Sequence, residues 1–171
     1  MWVLDATPLI YLAKVDALHV VEALDGQCSI PQQVYDEVVT AGLEAGYADA
    51  RRIERRVDEG AFEVVTVDDT PLGGRLARNP TLSEADVAVL ACAASRDGIA
   101  VMDEVAGRTV AEVEDIETKG TAYIVLLGAK RGVISVTEAR ETIDAMLEAG
   151  WYCAPDLYTK LVQTLESLEE A

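Results

Sequence analysis

Two short apolar runs, Trp2-Val3-Leu4 and Ile99-Ala100-Val101-Met102, each stop at a carboxylate and hand the chain to a stretch with helical spacing. A run too short for a helix, apolar throughout and closed by a polar residue, has the pattern of a strand buried in a parallel sheet. CSI (28–30) and AFEVVTV (61–67) repeat that pattern, and DIET (115–118) offers one more short strand or turn. The order strand, helices, strand, helices, strand, helix, strand selects an α/β domain with a mainly parallel sheet.

The helical segments have recognisable ends. In TPLIYLAKV, Thr7 is placed to cap a helix with Pro8 at its first position. VDALHVVEAL (15–24) reads as a second short helix, and PQQVYDEVVTAGL (31–43) turns Val34, Val38 and Leu43 toward a core. A polar helix from Glu44 to Glu59 follows. The stretch 68–80, with Gly73-Gly74 and two prolines, is a loop with one helical turn in its middle. Ser83 and Asp86 have the spacing of a capping box for the helix that Gly98 ends. VAGRTVAEV (105–113), the apolar GTAYIVLLGAKRGVI (120–134), TEARETIDAMLEAG (137–150) and APDLYTKLVQTLESLEE (154–170) supply the remaining helices.

A chain of 171 residues, half of them hydrophobic, suits one compact unit and is short for two. Residues 1–171 are therefore expected to form a single domain, with 120–171 as its C-terminal helical part. No apolar run reaches the roughly 18 residues of a spanning helix, and no charged lead precedes a cleavable apolar segment, so a soluble cytoplasmic protein without membrane contact is expected. Cys28, Cys92 and Cys153 lie far apart without metal-site spacing, and His19 is the one histidine. Catalysis or metal binding that needs a histidine pair is excluded.

Net charge is −17, from 31 acidic and 14 basic residues, ten of the latter Arg and four Lys. Such a surface repels polyanions in dilute buffer. In molar salt the Debye length falls to about 3 Å and the repulsion becomes local. An acidic, lysine-poor chain with an ordinary apolar fraction fits a halophilic cytoplasm.

The carboxylates carry the chemistry. Open parallel sheets bind ligands at the carboxyl ends of their strands, where Asp5 and Asp103 both stand. If their strands are neighbours, two negative charges converge and need a proton or a cation between them. Mg²⁺ or Mn²⁺, with oxygen ligands, satisfies that need. Glu37, on the helix after Pro31, and Asp86, in the first turn of its helix, are placed to join them. Singly, each acid has an ordinary explanation as turn residue, cap or solvated face. Together, without a histidine pair or cysteine nucleophile, they point to metal-assisted phosphoryl chemistry.

VLDATPLIYLAKV, PQQVYDEV, LSEADVAVLACA and AVMDEVAGRTVAE, in that order, resemble the PIN-domain ribonucleases, the nuclease fold of VapC-type toxins and of a ribosome-maturation endonuclease. GTAYIVLLGAKRGVI and GWYCAPDLYTKLVQTL are similar to the tail of an archaeal and bacterial PIN subgroup related to those toxins. The resemblance implies a three-layer α/β/α sandwich with a mainly parallel central sheet. It implies catalytic and metal-binding roles for Asp5, Asp86 and Asp103, with Asp5 the central ligand and Glu37 holding the ion or its water. Thr7 sits where the family often has a supporting hydroxyl. Met102 departs from the Thr or Ser many members place before the acid. Glu84 and Glu104 are near enough in sequence to exchange with Asp86 and Asp103.

The function so implied is a Mg²⁺- or Mn²⁺-dependent endoribonuclease acting on RNA, as the toxin of a toxin–antitoxin pair with a small antitoxin partner. An RNA-processing nuclease of rRNA or tRNA maturation is the alternative, and a non-catalytic PIN-like binding module is the third reading. The helices after Gly120 are available for a homodimer. Arg51, Arg52, Arg55 and Arg56 form one ridge on their helix. Salt bridges to Glu44, Asp49, Glu54, Asp58 and Glu59 account for them more simply than RNA contact does.

Overall fold

A computed structural model describes residues 1–171. Five strands form one all-parallel sheet: β1 (Trp2–Leu4), β2 (Cys28–Pro31), β3 (Glu63–Val65), β4 (Ile99–Val101) and β5 (Thr118–Lys119), in the order β3-β2-β1-β4-β5. The central strands are the most deeply buried, whereas β3 and β5 at the edges are only partly so. Val3, Leu4, Ile30, Ala100 and Val101 are fully buried.

The helices are α1 (Ala6–Lys14), α2 (Gln32–Tyr35), α3 (Ala41–Glu44), α4 (Ala48–Asp58), α5 (Pro71–Ala77), α6 (Glu84–Ser95), α7 (Val105–Val113), α8 (Thr121–Lys130), α9 (Val136–Glu148) and α10 (Pro155–Glu170), with a 3₁₀ turn over Leu18–Ala23. Strand order reverses at β1. The chain steps outward from β1 to β2 and β3, then returns to the other side of β1 for β4 and β5. Right-handed crossovers put α1 to α4 on one face and α5 to α7 on the other. The packing agrees: α6 lies on β1, β2 and β4 with α5 and α7 beside it, whereas α1 packs with α4, the 3₁₀ turn and α9. The outcome is the expected α/β/α sandwich, its apolar core continuous from Trp2 to Leu165 of α10. No helix is long and apolar enough to cross a membrane.

Several expected boundaries move, each for a local reason. The first helix begins two residues early, with Asp5 as its N-cap, Ala6 leading and Pro8 in its first turn. The polar helix starts at Ala48, because Gly46 at φ +78° turns the chain after α3. The stretch expected as a loop holds α5, which has Pro71 at its start and the Thr70 hydroxyl accepting the Gly73 N–H at 3.0 Å. Between α2 and α3 the helix widens into a π turn over Asp36–Thr40. That turn buries both Val38 and Val39, and Leu43, expected in the core, is 36% exposed. The capping box at Ser83 forms as expected, both halves present.

Candidate functional site

The reversal of strand order opens a crevice between the carboxyl ends of β1 and β4, the place where open α/β sheets bind ligands. Leu4 pairs with Val101 at the last register of the two strands, and the Asp5 N–H reaches the Val101 carbonyl at 3.0 Å. Asp5 therefore sits at the crevice floor, 4% exposed. Its backbone caps α1 while its carboxylate makes no capping hydrogen bond. Within its own helix the Ala6 amide is the group that acts on the carboxylate.

Asp86 reaches the crevice from the opposite layer and is 5% exposed. Its Oδ2 accepts the Ser83 N–H at 2.9 Å, and its own N–H donates to Ser83 Oγ at 3.1 Å. One oxygen is held by the cap and the other is spare. Capping and ligation are compatible here, since the cap fixes the direction of the carboxyl group. The N-terminal ends of α1 and α6, where helix dipoles favour anions, bear these two carboxylates.

The charges interact. Burial pushes Asp5 up to about 7; the Ala6 amide opposes it, and the carboxylates of Asp86, Glu104 and Glu37 add smaller upward effects. Glu37 is raised above the ordinary carboxylate range by burial, then by Asp86 and Glu104. Glu37 lies inside the π turn, a helix distortion that recurs at functional sites. Glu104 caps α7 through its backbone only, and its exposed side chain forms no hydrogen bond or ion pair. Asp5, Glu37, Asp86 and Glu104 are in this way one electrostatic group.

Asp103 is occupied elsewhere. Its Oδ1 accepts the Thr121 N–H at 2.8 Å, and its Oδ2 accepts the Thr121 hydroxyl at 2.6 Å and the Trp151 indole N–H at 3.1 Å. This carboxylate closes the first turn of α8 and ties the segment after α9 to the end of β4. Gly120 makes room for it, because a Cβ there would lie 3.0 Å from Asp103 Oδ1. Trp151, 48 residues downstream, left no trace in the local pattern around Asp103, whereas Gly-Thr ahead of an apolar helix was a visible signal for a helix start.

The other residues singled out in the sequence lie outside this group. Thr7 is in the first turn of α1 and its hydroxyl makes no hydrogen bond within the chain. Met102 is fully buried, its thioether against Gly107 of α7. Glu84 faces a different groove of about 540 Å³, between α5 and α6, with Asp68 and Asp69. Arg52 donates to the Ala13 and Lys14 carbonyls at 2.7 and 3.3 Å, and Arg56 lies 3.7 Å from Glu22 and 4.0 Å from Glu59. Of the expected carboxylate partners only Glu59 is used. The Arg52 contacts are at the C-terminal end of α1, about 13 Å along the helix from Asp5 at ~1.5 Å per residue. Arg75 forms a two-pronged contact with Glu114, at 3.3 and 2.8 Å.

The group offers only carboxylate oxygens, the donors that Mg²⁺ and Mn²⁺ take, so its chemistry fits a hard divalent ion. As placed, no three acidic, histidine or cysteine side chains stand close enough to form a ready cage. Asp5 and Asp86 are fixed, while Glu37 and Glu104 are long, exposed side chains with torsional freedom.

A family model described as "DUF3368: PIN domain" matches residues 1–167. Among solved structures, the chain is similar to a PilT N-terminus domain protein from the hyperthermophilic archaeon Sulfolobus solfataricus P2. The match has 8% identity and a TM-score of 0.51, and covers 75% of this chain and 93% of that one. At that identity the likeness is one of fold. No curated protein matches the chain.

Proposed function

The chain belongs to the PIN-domain family, whose fold is a nuclease fold, and from that premise we propose that it is a divalent-metal-dependent endoribonuclease. The observation that carries the proposal is the meeting of two buried carboxylates, Asp5 and Asp86, at the switch point of the sheet. Buried carboxylates held near one another call for a proton or a cation, and the chain has no histidine pair to offer a different chemistry.

Asp5 and Asp86 would hold the ion, with Glu37 and one member of the Asp103–Glu104 pair completing the set. Glu104 is the better placed of that pair, because its charge reaches Asp5 and Glu37 while both oxygens of Asp103 already accept hydrogen bonds. A bound Mg²⁺ or Mn²⁺ supplies a Lewis acid for the phosphodiester and lowers the pKa of water. Ser83 fixes the Asp86 carboxyl group. Glu37, its affinity for a proton raised, is suited to accept one at its carboxylate from an attacking water. With water as nucleophile, no covalent enzyme intermediate forms.

In the narrower form of the proposal the protein is the toxin of a toxin–antitoxin pair; in its alternative form it processes RNA without an antitoxin. The test is cleavage of RNA in molar salt, with and without Mn²⁺, by the wild type and Asp5→Asn. Mn²⁺-dependent cleavage that falls by about a hundredfold or more in the variant is expected, the order typical of removing a principal electrostatic stabiliser. Equal cleavage by both proteins rules the mechanism out. Growth arrest on expression, relieved by a small protein encoded beside it, would select the toxin form.

A further inference from the structure

Helix α7 turns Gly107 and Ala111 inward, against α6 and β5, and leaves its other side bare. On that side Val105 and Val113 are 79% and 77% exposed, two of the three most exposed large apolar side chains in the chain. Thr109, also exposed, lies midway between them, so the three form one ridge at four-residue spacing. Arg108 and Glu112 flank the ridge, both exposed, and their charges cancel. In a chain of net charge −17, this helix face is neutral.

Beside the ridge, α7 and the edge strand β5 border a groove of about 350 Å³, lined by Val105, Arg108, Thr109, Glu112, Ile116 and Thr118. β5 pairs with β4 alone, so the sheet ends here. The sequence of the ridge, Val-Thr-Val, reads the same in both directions about Thr109. Two copies of α7 crossing antiparallel about a two-fold axis at Thr109 set Val105 of each against Val113 of the other, with their four-residue ridges in contact. Arg108 of each copy then comes within one turn of Glu112 of the other. At the ends Glu104 comes opposite Glu114, whose charge Arg75 already balances at 2.8 Å.

From this arrangement we infer that the exposed face of α7 is the contact surface of a homodimer of this chain, two-fold symmetric about Thr109. The symmetry of the ridge and the opposed charges beside it select a second copy as the occupant, because an isologous contact needs a surface that complements itself. A polyanion finds no net positive charge on this face. The C-terminal helices, which the sequence also offers for a homodimer, suit one less well. Their groove sets Arg140 against Glu141, Asp144, Glu166 and Glu169, so a second copy there meets like charge. Molar salt confines the general repulsion between two acidic copies to about 3 Å and so favours the α7 contact. The inference does not depend on the ribonuclease proposal.

The experiment is sedimentation equilibrium of the full chain in molar KCl, over a range of protein concentrations. Wild type is expected to dimerise reversibly. The double variant Val105→Asp/Val113→Asp should weaken the dimer at least about a hundredfold, through lost apolar contact and like charges set face to face. Arg108→Glu and Glu112→Arg should each weaken it about tenfold, and the two together should return it to within about threefold of wild type, since the exchange restores both pairs across the axis. Leu157→Asp, at an exposed position of α10, should leave the dimer unchanged. A wild type that stays monomeric at every concentration overturns the inference. So does a dimer that Val105→Asp/Val113→Asp leaves intact, or a double charge reversal that fails to recover. Loss of the dimer in Leu157→Asp overturns it as well, by moving the contact to the C-terminal helices.

Discussion

Asp5 and Asp103 stand at equivalent places on neighbouring strands, one residue past β1 and two past β4, and the chain surrounds them differently. Asp103 receives three hydrogen bonds, from Thr121 and Trp151, and serves as a knot between β4, α8 and the segment after α9. Asp5 is more deeply buried, with the Ala6 amide beside its carboxylate and the acids Asp86, Glu104 and Glu37 as neighbours. A carboxylate whose oxygens already accept several hydrogen bonds is satisfied within the fold. One left among other carboxylates in a buried crevice waits for a proton or a cation. The position of an acid on the sheet therefore selects a candidate, and the donors the rest of the chain brings to it decide between anchor and ligand.

The largest expected effect is a difference in sign. Asp5 has its folded-state pKa raised from 3.8 to about 7. The folded state then binds more protons than the unfolded state between those values, so without metal its stability falls as pH rises through that window and levels off above it. At ~1.4 kcal/mol for each pH unit the full penalty is about 4 kcal/mol. Asp5→Asn in EDTA should accordingly unfold at a higher urea concentration than wild type at pH 8, with the gain shrinking toward pH 4. Identical midpoints at pH 8 would mean that no buried charge is being held there. Asp103→Asn should act in the opposite direction, costing about 2–3 kcal/mol, because its new amide donor must face the Thr121 or Trp151 donors. For a chain of this size that lowers Tm by several degrees, at ~2–4 °C per kcal/mol. A thermal melt in which Asp103→Asn is as stable as wild type would remove the anchor role.

Glu104→Gln comes next. It should weaken Mn²⁺ binding about tenfold, equivalent to ~1.4 kcal/mol, with no loss of thermal stability, since its exposed side chain forms no hydrogen bond or ion pair in the fold. A Mn²⁺ titration by calorimetry in which Glu104→Gln binds like wild type while Asp103→Asn does not would return the fourth ligand to Asp103. The smallest effect is at Ser83. Removing its hydroxyl in Ser83→Ala costs about 1 kcal/mol of cap stability and frees one constraint on Asp86, so a modest fall in Tm should accompany a measurable loss of Mn²⁺ affinity. Unchanged Mn²⁺ affinity would confine Ser83 to the cap.

The features legible in the sequence are those with local causes. β1 and β4 could be read from short apolar runs, and the α6 cap from Ser83 and Asp86, because strand burial and capping act within a few residues. The parallel sheet followed from the alternation of strands and helices, whereas its strand order came only with the fold. Asp5 and Asp86 could be singled out as candidates because each sits at an element boundary. Chain-distant causes were not legible. The pairing of Asp103 with Trp151 depends on how α9 returns to the sheet, and the partners of Arg52 are backbone carbonyls of α1. The π turn that contains Glu37 departs from the regular period on which Leu43 was assigned inward. At α5, paired glycines suggested a loop, whereas a Thr cap, a leading proline and packing on α6 outweigh their poor helix propensity.

That a cation belongs at Asp5 can be measured as proton release on Mn²⁺ binding, by calorimetry in buffers of different ionisation enthalpy near pH 6. Asp5 with a pKa of about 7 is mostly protonated there, so Mn²⁺ should displace close to one proton from the wild type, fewer as pH rises to 8, and essentially none from Asp5→Asn, which should also bind more weakly. Mn²⁺ binding of equal affinity and equal proton release in wild type and Asp5→Asn would contradict the account, because the ion would then be held by some other part of the molecule.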